Sequence, residues 1–184
     1  MALKSAHKAL TLVDEDAKIN GPLERDYIRA YWLIGASYRA LASTGSASEP
    51  ENLENAEKHL GEALRRCRAI NAVMHESDIL LEISKLRFIQ GKREEALRLA
   101  EEALTITERS GYVLQGADVH LFLAELALKG IGLSSKLQGA RGKLQVAREY
   151  AEKALKLATC DGAPNYYKIA YQEAEAFLAE LDKR

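Results

Sequence analysis

The chain has 184 residues, 47% of them hydrophobic and 29% charged, enough for one compact domain with a sizeable core or for a short solenoid. Lys and Arg number 26 against 27 for Asp and Glu, a balance that gives no general attraction to nucleic acid or to an anionic membrane. No run approaches the roughly 20 apolar residues of a membrane span, and Met1 leads into an amphipathic charged segment instead of a signal-peptide core.

Cys67 and Cys160 lie far apart without metal-ligand or C-x-x-C spacing, so a reducing compartment is expected and the chain reads as cytoplasmic. Apolar side chains recur at intervals of three and four, and Ala, Leu, Glu, Lys and Arg dominate, which predicts helix almost throughout. Six clusters of breakers, at 20–22, 43–50, 91, 110, 129–132 and 160–164, divide the chain into about seven helices.

In chain order, residues 1–18 carry Ala2, Ala6 and Ala9, spaced i, i+4, i+7, with Leu3, Ala6, Leu10 and Val13 making one apolar face. Residues 31–38, "YWLIGASY", form a second type of helix, with aromatics at Tyr31 and Tyr38 around Ile34 and Gly35. The alanine skeleton returns at Ala56, Leu60 and Ala63, at Ala96, Ala100 and Ala103, and at Ala147, Ala151 and Ala154. Between those copies the second helix type recurs, with Leu80, Ile83, Ser84 and Arg87, and then with His120, Leu123, Ala124 and Ala127, in the places of Tyr31, Ile34, Gly35 and Tyr38. Successive alanine copies are 54, 40 and 51 residues apart, so a unit near 40 residues with two insertions fits. The insertions are visible as "STGSASEPEN" before the second copy and "GIGLSSKLQGARG" before the fourth. Small residues at these spacings let two helices approach closely.

The alternation of an aromatic-and-glycine helix with an alanine-stripe helix resembles the tetratricopeptide repeat, in a long subclass found in peptide-binding adaptors and in the sensor arrays of STAND-type signalling ATPases. The closing proline of that pattern is absent. The resemblance implies an all-α, right-handed α–α superhelix over 1–184. It divides the chain into an orphan second helix at 1–18, repeats at 23–72, 74–110 and 114–160, and a terminal helix at 164–184. On this reading 1–18 belongs to a repeat whose first helix is missing, and the chain is a fragment of a longer array; an N-terminal cap is the other reading.

Little chemistry is encoded. His7, His59, His75 and His120 share no ligand spacing, "GARGK" lacks the glycine, hydroxyl residue and strand of a phosphate loop, and Glu94, Glu95, Glu101 and Glu102 read as a solvated helix face. No enzyme activity, metal or cofactor is expected. In a repeat array of this type the first helices line the concave side, which places Trp32, Arg39, Leu81, Lys85, Phe88, Leu121, Glu125 and Leu128 as the partner-binding groove, or, at the same helical spacing, in the core. Trp32, Leu81 and Leu121 make that groove partly apolar, suited to an amphipathic helix or apolar peptide. Lys129, Lys136, Arg141, Lys143 and Arg148 form a basic patch with no acidic residue between Glu125 and Glu149. It could meet phosphate or an acidic partner or be a solvated loop, and without interleaved aromatics nucleic acid is disfavoured. The expected partner is thus a protein or peptide, with self-association through the unpaired first helix as a further possibility and no membrane. The function expected is a non-catalytic interaction module. The alternative is the ligand-sensing region of a STAND-type ATPase or transcriptional regulator.

Overall fold

A computed structural model describes residues 2–44 and 49–184; the middle of the first insertion, residues 45–48, lies outside the described residues. The all-α expectation holds. Eight α-helices are present among the described residues: α1 Ala2–Asn20, α2 Glu24–Ala42, α3 Glu49–Ala69, α4 Val73–Ile89, α5 Arg93–Ser110, α6 Val113–Leu128, α7 Ala140–Thr159 and α8 Lys168–Leu181. A single 3₁₀ turn, Ser135–Leu137, interrupts the second insertion. No helix among them is long and apolar enough to cross a membrane.

The eighth helix comes from a turn that has no glycine or proline. Between α3 and α4 the chain reverses at Asn71, whose φ of 53° lies in the left-handed region, and the Ala72 N–H reaches back to the Cys67 carbonyl at 2.9 Å. At Gly91 and Gly111 the same geometry recurs, with Lys92 N–H bonded to Arg87 O and Tyr112 N–H to Thr107 O. These are helix ends closed by one left-handed residue, a place asparagine tolerates better than any β-carbon-bearing residue of ordinary shape.

The chain forms two compact units, residues 1–92 and 93–184. In the first, α1 packs on α2, α2 on α3 and α3 on α4, with α2 also touching α4. In the second, α5, α6, α7 and α8 follow the same scheme, with α6 also touching α8. The broadest interface in each unit joins the aromatic-type helix to the alanine-stripe helix after it, α2 to α3 and α6 to α7. The 74–110 segment read as one repeat crosses the boundary between the units.

The alanine stripes are interior. Ala56, Leu60 and Ala63, Ala96, Ala100 and Ala103, and Ala147 and Ala151 have no exposure at all. Cys67 extends the α3 stripe; burial pushes its thiol up to about 11 and it donates to the Ala72 carbonyl, so it serves as a small apolar side chain. Opposite this stripe sits Gly35, where a β-carbon would lie 2.6 Å from Leu60 Cγ and 2.9 Å from the Leu60 backbone nitrogen. The missing side chain is what lets α2 lie on α3.

The second insertion is built, not merely solvated. Gln138 donates to the carbonyls of both Gly130 and Leu133, and Leu133 packs on the cluster of Ala127, Ala147 and Leu181. Gly132 lies against Leu97, where a β-carbon would be 2.9 Å from a leucine methyl.

Gly35→Ala should lower stability by about 1–3 kcal/mol, since its methyl meets the α3 backbone, which cannot rotate away as a side chain could. Ala100→Leu on the α5 stripe should cost a similar amount. Thermal melting of both variants checks this, and an unchanged transition would mean the helices do not approach so closely.

Candidate functional site

Two side-chain systems stand out, one in each unit. In the first unit Tyr27, Tyr31 and Tyr38 fall four and seven residues apart on α2, hence on one stripe of that helix. They meet His59 and Arg66 of α3. The Arg66 guanidinium lies 4.8 Å from the Tyr27 ring centroid and 5.5 Å from that of Tyr31, and the His59 ring stacks on Tyr31 at 5.8 Å and on Tyr38 at 5.9 Å. His7 of α1 stands edge-on to both Tyr38 and His59, with Nε2 3.3 Å from the Tyr38 hydroxyl. Rings and guanidinium thus alternate in one column, each contact adding roughly 0.5–1.5 kcal/mol beyond its burial.

Charge holds the column in place. Arg66 bonds Glu24 of α2 at 2.8 Å and Glu62 of its own helix at 2.6 Å, and Arg65 forks onto Glu62. Hydrogen bonding from Arg65 holds the Glu62 carboxyl down at about 2. Beside the column Tyr31, Lys58, His59, Gly61, Glu62 and Arg65 line an open hollow of about 380 Å³.

In the second unit the same interface carries His120 of α6 tilted on Tyr150 of α7 at 5.9 Å. His120 is buried, 6% exposed, and lies at a cleft of about 170 Å³ with Leu104, Thr107, Tyr112, Gly116 and Leu157. Gly116 keeps the cleft open towards α7, since a β-carbon there would press on Leu157 at 3.3 Å. Three imidazoles share one feature: His59 Nδ1, His75 Nε2 and His120 Nδ1 are buried without a partner among the described residues. Burial lowers the pKa of all three, helped by His7 and Lys58 at His59, by Arg29 and Arg25 at His75, and by Lys153 at His120, where Glu108 opposes it.

The groove residues expected from the sequence separate into several places. Arg39 and Lys85 come together on Glu82, at 2.6 and 3.3 Å, an acceptor that sequence reasoning did not single out. Leu81 is only 4% exposed, which agrees with the core reading of this position and not with the groove reading: α4 buries side chains around its whole circumference. Trp32 and Phe88 are half-buried, with the Trp32 indole nitrogen enclosed. On α2 five positions are open: Leu41 at 41% exposure and, along one line, Arg25, Arg29, Leu33 and Ala40, with Leu33 46% exposed. The spacing of these last, four, four and seven, marks one stripe. A signal for it existed, since these residues lie opposite the aromatic stripe on a helical projection.

Leu121 and Leu128 are half-buried and Glu125 is exposed, on one stripe of α6, and Leu128 packs on the edge of the Ala127–Ala147–Leu181 cluster. Within the basic patch Lys129, Lys136 and Arg141 are exposed, Lys143 closes over Gly130, and Arg148 pairs with Asp182 at 2.5 Å. Among the described residues no three His, Cys, Asp or Glu side chains converge as metal ligands would.

No protein-family model matches the chain, and no curated protein or solved structure matches it either.

The buried imidazoles set a pH dependence. They bind protons less readily in the folded chain than once unfolded, so stability is complete above about pH 6.5 and declines as pH falls below it. Glu62 acts in a separate window, contributing stability above about 4.5 that is lost as pH falls towards 2. Urea unfolding between pH 8 and pH 5 checks the first window. A flat midpoint over that range would mean the imidazoles are not desolvated.

Proposed function

We propose that this chain is a non-catalytic interaction module of tetratricopeptide-repeat type that binds an amphipathic peptide or helix along the open stripes of its aromatic-type helices. The observation that carries this reading is Leu33, a large apolar side chain 46% exposed on a helix that also packs on α1, α3 and α4. Arg25 and Arg29 precede it on the stripe, and Ala40 follows. Arg29 and Arg25 also act electrostatically on His75 at the start of α4, and Arg39 is held at the α2–α4 seam through Glu82. This seam favours a ligand with one apolar anchor for Leu33 and acidic residues one helical turn away.

A second reading, the ligand-sensing region of a STAND-type ATPase, is favoured by the cleft at His120. Its 170 Å³ and apolar walls of Leu104, Val113 and Leu157 suit a single-ring molecule.

Selection of peptides from a displayed library against the whole chain, followed by titration on Trp32 fluorescence, tests the groove. Selected peptides should pair an apolar anchor with acidic residues. Leu33→Asp and Arg29→Glu should each weaken them by about tenfold or more while shifting stability by less than about 1 kcal/mol, as surface positions do. Equal binding by both variants would remove α2 as the docking stripe.

A further inference from the structure

We propose that the outer face of α1 is a two-fold interface through which two copies of this chain associate, their α1 helices antiparallel. The inference does not rest on the groove reading.

Its starting point is the repetition inside the chain. Aligning Ala6 with Leu60 places Ser5, Lys8 and Leu12 of α1 where α3 has His59, Glu62 and Arg66. On α3 that face is occupied: α2 covers it with Tyr27, Tyr31 and Glu24. In α1 it is open. Ala6 is buried against α2, Ala9 only half-buried and Ala2 exposed, whereas the matching stripes of α3, α5 and α7 are closed. Two large apolar side chains stand on the open face, Leu12 at 52% and Ile19 at 82% exposure. Leu12, Glu15 and Ile19 follow Lys8 at helical spacing, so these four share one stripe. His7 and Asp14 point the other way, bonded to Tyr38 and Tyr27 of α2.

The order of charges says what covers this face. The first half of α1 carries Lys4 and Lys8, and the second half carries Asp14, Glu15 and Asp16 with one cation, Lys18, which lies off the Leu12–Ile19 stripe. Reversing the helix on itself about its middle sets Lys8 against Glu15 of the other copy, and the same operation sets Glu15 against Lys8. The midpoint of that pair falls beside Leu12, so Leu12 meets its own symmetry mate at the axis. Lys4 then runs its aliphatic stem along Ile19 of the other copy. A parallel pairing would put Lys8 on Lys8 and Glu15 on Glu15. Isologous closure of this kind gives a dimer and no further growth.

Sedimentation velocity of the full 184-residue chain over a micromolar concentration series tests this, with thermal melting beside it. The wild type should show a concentration-dependent dimer that weakens with salt. Lys8→Glu creates two like-charge contacts and should weaken the dimer by about tenfold, and the double variant Lys8→Glu/Glu15→Lys should restore it. Leu12→Asp should leave a monomer with an unchanged melting transition, since Leu12 buries little in the single chain. Leu33→Asp should leave the dimer intact, which separates this interface from the groove on α2. A wild type that stays monomeric, a dimer indifferent to Lys8→Glu, or a double variant that remains dissociated overturns the proposal. So does a dimer lost with Leu33→Asp and kept with Leu12→Asp.

Discussion

The close approach of an aromatic-type helix to an alanine-stripe helix is the constraint on which the rest of this molecule depends. Gly35 has no room for a β-carbon over Leu60, and the facing stripe of Ala56, Leu60 and Ala63 is wholly buried. At such a distance neither helix can rotate without forcing side chain into backbone, so the register of every other group on the interface is set with it. Ser84 of α4 and Ala124 of α6, which take the place of Gly35 in their helices, are also fully buried. Smallness at this position is therefore a property of the helix type. Alanine and glycine bury little apolar area themselves, and the stabilisation comes from the larger neighbours they allow to meet.

The neighbours that meet are themselves repeated, with their identities exchanged. The α7 stripe lies 91 residues beyond that of α3, which carries His59 to Tyr150. Tyr31 on α2 corresponds to His120 on α6. The first unit thus stacks a tyrosine from its aromatic-type helix on a histidine, and the second stacks a histidine on a tyrosine, at 5.8 and 5.9 Å. One ring is needed from each side, and which ring supplies the imidazole is indifferent to packing. It is not indifferent to electrostatics: in both arrangements the imidazole Nδ1 is buried without a partner among the described residues, and burial lowers the pKa of both rings.

How much of this was legible in the residues follows from how local each cause is. Helix type, the alanine ruler and most helix ends are local, and they were readable because glycine and proline mark the stops. The turn at Asn71 does the work of a glycine without being one, so punctuation counted one helix too few, although the repeat ruler already placed a boundary at 72–74. The second insertion looked solvated because its composition is polar, yet the anchoring falls to single residues, Gln138 and Leu133, whose partners are carbonyls and a core cluster that composition does not show. Leu81 illustrates the converse. Its position in the repeat suggested a groove wall, but α4 is apolar on every side, and a helix of that kind belongs inside. Glu82 was invisible as a site because its role exists only once Arg39 and Lys85 are brought to it.

The open surfaces are what the packing leaves over, and their chemistry follows from which faces are used. On α2 the aromatic stripe turns to α3 and, through Tyr27 and Tyr38, to α1, and the Arg39 edge reaches α4. Apart from Leu41 near the helix end, what remains is Arg25, Arg29, Leu33 and Ala40, a basic and apolar strip legible only on a helical projection. On α1 only one face is used, so the residue type that closes the interior elsewhere stands free. The face that α2 covers on α3 is uncovered on α1, and there Lys8 and Leu12 stand in the places of Glu62 and Arg66. An exposed face of this kind is stable only to the extent that its apolar residues are few and its charges solvated, and α1 meets both terms with two large apolar side chains set among Lys4, Lys8, Glu15 and Asp16.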